Sequence, residues 1–276
     1  MYSLHAVTFE DFRVQARQLV LSGVAPADVV WLEDGLFASS PLPALVEGEL
    51  KVPSSFVNLA RSVACHADAV RWSLLYDALW RIQQGETRLL HNPADALTSK
   101  LNLMAKQVGR DIHKAHAFVR FKKVTVDGQD TYLAWHCPDH RILTLAAPFF
   151  VKRFTNQRWG IATPQESCSW DGTALTWGEG FPQSAVAFED DVEKLWRTYY
   201  RHIFNPARIK VDVMKREMPV RHWRTLPETQ DIAAMLQDAQ ARVDTMLKSA
   251  LFSSEKSLKR AEIVKKRRAE TSSDTR

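Results

Sequence analysis

Residues 117–136 decide the fold. They read Ala117-Phe118-Val119-Arg120-Phe121-Lys122-Lys123-Val124-Thr125-Val126, then Asp127-Gly128, then Gln129-Asp130-Thr131-Tyr132-Leu133-Ala134-Trp135-His136. Two runs rich in β-branched and aromatic residues flank an Asp-Gly pair, the strongest short-range signal for a hairpin. A second such pair, Asp171-Gly172, lies between Cys168–Trp170 and Ala174–Trp177 and predicts a second hairpin. Tight turns argue against a parallel doubly wound sheet.

Upstream of the first hairpin the apolar period changes from two to about 3.6. Leu97, Leu101, Met104, Val108 and Ile112 form one stripe behind a potential cap, Asp95. Lys106, Arg110 and Lys114 follow at i, i+4, i+8 on the opposite side, with His113 beside them. Further upstream, Phe56, Leu59, Val63, Val70, Leu74 and Trp80 predict one long helix from Ser54, ended by Gly85. Phe9 to Val20 predicts a helix stopped at Gly23, and Val29–Leu32 a short strand closed by Asp34-Gly35.

Between the hairpins, Asp139 is placed to cap a helix from His140 to Phe154, kinked or broken at Pro148. After them come a helix opened by Glu189, Asp190 and Asp191, one begun by Asn205-Pro206 and stopped at Met218-Pro219, and one over Ile232–Met246. The order predicts an α+β fold, a mostly helical domain with a small antiparallel sheet made of two hairpins. Residues 1–50 read as a small leading segment and linker, 51–250 as the main domain, and 251–276 as a basic disordered tail.

The chain has 276 residues, 45% of them hydrophobic and 25% charged, the balance of a globular protein. No apolar run approaches the roughly 18 residues that would cross a bilayer, and Met1–Leu21 lacks the charged-then-apolar order of a secretory leader, so a cytoplasmic setting is expected. Cys65, Cys137 and Cys168 are too far apart for a zinc or iron–sulfur motif and read as reduced thiols. His136, Cys137 and His140 fall short of a metal set, and no metal is expected. No cofactor is expected either: no Walker loop, dinucleotide glycine fingerprint, zinc-deaminase motif or nucleophile elbow is present.

The net charge is +5; residues 255–276 hold eight Lys or Arg against four acids, which is +4, so the other 254 residues carry only +1. Basic character must therefore be sought in patches. The richest runs from Lys106 to Trp159. It holds Lys106, Arg110, Lys114, Arg120, Lys122, Arg153 and Arg158, with Trp159 as a ring for base stacking. A second patch over residues 201–224 has seven cations against two acids and contributes Arg208, Lys210, Arg221 and Trp223. The alternatives are a solvated helix face and aromatic rings that fill a core. His113 and His140 are the candidates for acid–base or phosphate-holding work, or else structural histidines at turns. Lys265-Lys266-Arg267-Arg268 reads as a DNA-holding arm or a solubilising end.

Several ordered motifs carry a resemblance: Arg110-Asp111-Ile112-His113-Lys114, Ala117-Phe118-Val119-Arg120-Phe121, Pro138-Asp139-His140, Ala147-Pro148-Phe149-Phe150, Arg158-Trp159 and Phe204-Asn205-Pro206-Ala207-Arg208. From residue 1 to about 240 the chain resembles a bacterial family of DNA-metabolism proteins. Some members of that family stand alone, paired with a radical-SAM DNA-repair protein. Others are fused ahead of a uracil-DNA-glycosylase-like domain of the UdgX type. The resemblance implies a DNA-binding accessory protein of a repair or modification system, with a radical-SAM or glycosylase-like partner carrying the chemistry. The other reading is an enzyme acting on damaged or modified bases through His113 and His140.

Overall fold

The computed structural model describes residues 1–32, 40–44, 46–126, 128–186 and 211–226, with single positions beyond. The chain is α+β. In order it forms β1 (Tyr2–His5), α1 (Phe9–Leu21), β2 (Val29–Leu32), α2 (Ser54–Ala64), α3 (Val70–Gln83), α4 (Ala96–Phe118), β3 (Lys122–Val126), β4 (Gln129–Trp135), α5 (Leu143–Arg153), β5 (Arg158–Ala162), β6 (Glu166–Trp170), β7 (Leu175–Glu179) and α6 (Val211–Glu217). Residues Met1–Phe188 make one compact unit and Glu189–Arg276 another. Among the described residues no helix is long and apolar enough to cross a membrane.

The elements before residue 50 do not stand apart. Leu4, Phe12, Leu19 and Trp31 are buried in one core with Phe56, Trp72, Leu75 and Leu101 of α2, α3 and α4. Phe12 stacks on Trp72 at 5.3 Å, and α1 opens with a reciprocal cap between Thr8 and Asp11. A second core joins the far half of α4 to α5 and the sheet through Val108, Ala115, Ile142, Phe150, Trp159 and Ile161. Helix α4 belongs to both, which its 23 residues permit.

Both expected hairpins form, β3–β4 and β6–β7, with Gly128 and Gly172 at positive φ (74° and 104°) in their turns. The sheet is larger than two hairpins and is not wholly antiparallel. An additional strand, β5, pairs parallel with β4 and antiparallel with β6, giving the order β3-β4-β5-β6-β7. A parallel neighbour needs a crossover, and α5 supplies it. A separate pair, β1–β2, is also parallel.

Two helix expectations are corrected. The long helix from Ser54 is two helices, because Asp68 interrupts it: its carboxylate takes the Val70 N–H at 3.0 Å while His66 Nδ1 accepts the Asp68 N–H at 3.1 Å. Helix α5 starts at Leu143, not His140. Asp139 does not cap it; the Glu166 carboxylate accepts the Leu143 N–H at 2.8 Å instead. Pro148 sits inside α5 without ending it. The first hairpin starts at Lys122 because Ala117 and Phe118 finish α4. The helices expected over 189–203 and from Asn205 to residue 210, nearly all of that over Ile232–Met246, and the tail lie outside the described residues.

Candidate functional site

Helix α4 carries two kinds of side chain that matter. Lys106, Arg110 and His113 are exposed and Lys114 is half-buried, as the helical period requires of residues opposite Leu101, Met104 and Val108. Among the described residues no carboxylate pairs with Lys106, Arg110 or Lys114. The lone acid of α4, Asp111, is 3% exposed.

Asp111 is the anchor of a polar pocket of about 270 Å³ lined by His66, Arg71, Asp139, His140, Arg141 and Gln165 among others. Its Oδ2 accepts the backbone N–H groups of Asp139 at 2.6 Å and His140 at 3.0 Å, so a helix side chain holds the loop that precedes α5. Burial pushes the Asp111 carboxyl above its ordinary range, the Asp139 charge adds to this, and the two N–H bonds oppose it. His140 stacks on His66 with centroids 4.3 Å apart. His140 Nδ1 accepts the Ala67 N–H at 3.2 Å, which leaves the proton of the neutral ring on Nε2. His66 is fixed the same way: Nδ1 accepts from Asp68, so Nε2 donates to Gln107 of α4 at 2.9 Å. Arg71 is 3% exposed, with its guanidinium 4.6 Å from the Trp72 ring centre. Two guanidinium groups, two imidazoles and the Asp139 carboxyl thus line the pocket from the first turn of α3 and the loops before α3 and α5, with the Asp111 carboxyl of α4 holding the second loop. That chemistry suits proton transfer or the binding of a polar ligand.

The remaining expected residues are distributed as follows. Arg120 donates to the carbonyls of Ala117 at 2.7 Å and Val119 at 3.4 Å, so it caps the end of α4. Lys123 pairs with Asp130 at 2.7 Å. Lys122 is half-buried on β3; Arg153 is exposed in the last turn of α5, where it complements the helix dipole. Arg158 is exposed and donates to the Gln129 side chain. Trp159 is 1% exposed and belongs to the core, which removes it as a stacking surface. In the second unit, Arg221 Nε lies 3.2 Å from His222 Nε2, and Trp223 donates to Met218 O at 3.0 Å. Arg208 and Lys210 lie outside the described residues.

Sequence reasoning passed over His66, Arg71 and Arg141 and gave Asp111 no role. Asp111 did leave a trace: it falls at i+3 from Val108 and i−4 from Ala115, both buried, so it sits on the apolar stripe of α4. Arg71 likewise falls within the apolar segment Val70–Leu75. Cys65 and Cys168 offer no ready nucleophile. Burial pushes the Cys65 thiol up to about 11 and Cys168 up to about 12, so both stay protonated near neutrality.

No curated protein and no solved structure matches this chain. A family model described as a domain of unknown function, DUF4130, matches residues 69–228, a span that takes in α3 to α5, the whole five-stranded sheet and most of the polar pocket. By that match over more than half its length, the chain belongs to the DUF4130 family.

Proposed function

We propose that this chain is a cytoplasmic DNA-binding accessory protein of a repair or modification system. It acts beside a catalytic partner of the radical-SAM or glycosylase-like kind. The observation that carries the proposal is the exposed face of α4, where Lys106, Arg110 and Lys114 recur every turn and no carboxylate among the described residues neutralises them. Cations one turn apart along a rigid helix suit a row of phosphates. Arg120 and Lys123 are engaged within the fold, so the phosphate contact rests on α4 more than on the hairpin.

The test is a K106A/R110A/K114A variant measured against duplex DNA over a range of salt. Each lost phosphate contact reduces the slope of log affinity against log salt by about 1, so the triple variant should flatten it by about 3. Its melting should be unchanged, because two of the three side chains are exposed. An unchanged slope would remove α4 as the binding surface. The polar pocket supports a second reading, an enzyme acting on a DNA base through His140. Release of a free base from a damaged or uracil-containing oligonucleotide by the purified chain would favour it. His113 lies on the exposed face of α4 and is not among the pocket's lining residues.

A further inference from the structure

We infer that Phe149, an exposed ring between the cations of α4 and those of the last turn of α5, stacks on an unstacked base of single-stranded DNA while those cations hold the phosphates on either side. This rests on the nucleic-acid reading above and names the form of DNA that this part of the protein recognises.

Phe149 is 40% exposed although it belongs to an ordered aromatic cluster. His116 of α4 lies against one face of the ring, with centroids 4.1 Å apart and planes inclined by 24°. The imidazole is itself held, because its Nε2–H donates to Ala146 O at 3.3 Å. Phe150, buried below, meets both rings edge-on at 5.2 and 5.6 Å. With one face taken by His116, the accessible part of the Phe149 ring is its other face and its edge. A ring held in this way presents a π-face at little ordering cost. Such a face stacks on any base, provided that the base has left the duplex stack.

Two sets of contacts fix how the helices lie. Asp111 of α4 meets Asp139 and His140, just before α5. Further along α4, His116 meets Ala146, Phe149 and Phe150, further along α5. The two helices therefore run in the same direction at this contact. Lys106 and Arg110 precede His116 on α4, Arg110 by about 9 Å of axial rise, with His113 between them and the ring pair. Lys152 and Arg153 follow Phe149 at i+3 and i+4, on the same face of α5 and about 4.5–6 Å further along it. The ring thus has cations to both sides.

The charge of the two helices selects a phosphate-bearing partner. The one acid of α4 is Asp111, 3% exposed and engaged by two backbone N–H groups, and the sequence of α5 contains none. Lys106, Arg110, Lys152 and Arg153 are exposed, and among the described residues no carboxylate pairs with them. An acyl chain or an apolar helix would leave these charges unmatched, and an acidic protein segment would leave the π-face unused. A strand of unstacked bases uses both.

The experiment uses the full chain and a labelled 20-nucleotide oligothymidylate, alone and paired with its complement, followed by fluorescence anisotropy. Phe149→Ala should weaken single-strand binding roughly 5- to 150-fold and leave duplex affinity unchanged. Phe149→Leu keeps apolar bulk against His116 and Phe150 without a π-face; it should lose affinity likewise, and it keeps the test open should the alanine variant melt early. K152Q/R153Q should flatten the single-strand slope of log affinity against log salt by about 1.4, two contacts at about 0.7 each. Full single-strand affinity in both Phe149 variants overturns the stacking site, and so does an equal loss for single strand and duplex. A chain that binds polyglutamate and not the oligonucleotide also overturns it, and assigns the surface to an acidic protein partner. The α4 reading is judged separately, by whether K106A/R110A/K114A weakens duplex binding. A wild-type chain that binds neither form of DNA overturns both.

Discussion

Replacing Trp159 by alanine is expected to destabilise the first unit by about 3–5 kcal/mol and to leave nucleic-acid affinity of the folded protein unchanged. The side chain is 1% exposed at the centre of the sheet's covered face, with ring centres 6.0 Å from Phe121 and 6.1 Å from Phe150. Tyr132 and Trp170 flank it across the strands. Truncation would leave a void that rigid β-strands and α5 cannot close, so the transfer and cavity costs add. Trp159→Phe should be far milder, under about 1.5 kcal/mol. The indole Nε1–H has no hydrogen-bond partner among the described residues, and losing that donor offsets part of the lost packing. Urea midpoints at constant m measure both changes. An alanine variant as stable as the parent would show that this ring does not hold the second core together.

Trp159 also shows where sequence reading ends. An Arg-Trp pair in a basic stretch looks the same whether the ring stacks on a base or on Phe150; only the register of β5 decides, and register is a long-range property. What local chemistry dictates was legible. The glycines after Asp127 and Asp171 adopt the left-handed conformations their turns require, and of the stripe expected on α4, Leu97, Leu101, Met104 and Val108 are buried and Ile112 is half-buried. The break between α2 and α3 was hidden because no Pro or Gly marks it; a short Asp68 contact creates it. Strand β5 was hidden because it is only five residues long with Gly160 separating Trp159 from Ile161, and it gains its place from a parallel partner. On the candidate site, the exposure of Lys106 and Arg110 followed from period alone. The engagement of Arg120 and Lys123 within the fold did not, and neither did the pocket, whose members come from residues 6–7, 66–71, 139–141 and 165 with no spacing rule to join them.

Asp111→Ala is expected to cost about 3 kcal/mol and to release the loop that carries His140. One carboxylate oxygen satisfies two backbone N–H groups at 2.6 and 3.0 Å, and alanine strands both in a site where the Asp111 side chain itself is 3% exposed. Each abandoned buried donor costs about 1–3 kcal/mol. The pH dependence has a definite sign. Because burial and then Asp139 raise the carboxyl above its ordinary value, its contribution is fully present below the unfolded pKa and declines as pH rises through the folded one. The penalty of the alanine variant should therefore be greatest in mild acid and shrink as pH rises toward neutrality. Glu166 is raised by burial in the same direction but is common to both proteins, so the difference between parent and variant isolates Asp111. Paired melts across that range measure it. A penalty that instead grows with pH would mean the carboxylate is held by its N–H donors more strongly than burial opposes it, and the pocket would have to be redrawn around a permanently charged Asp111.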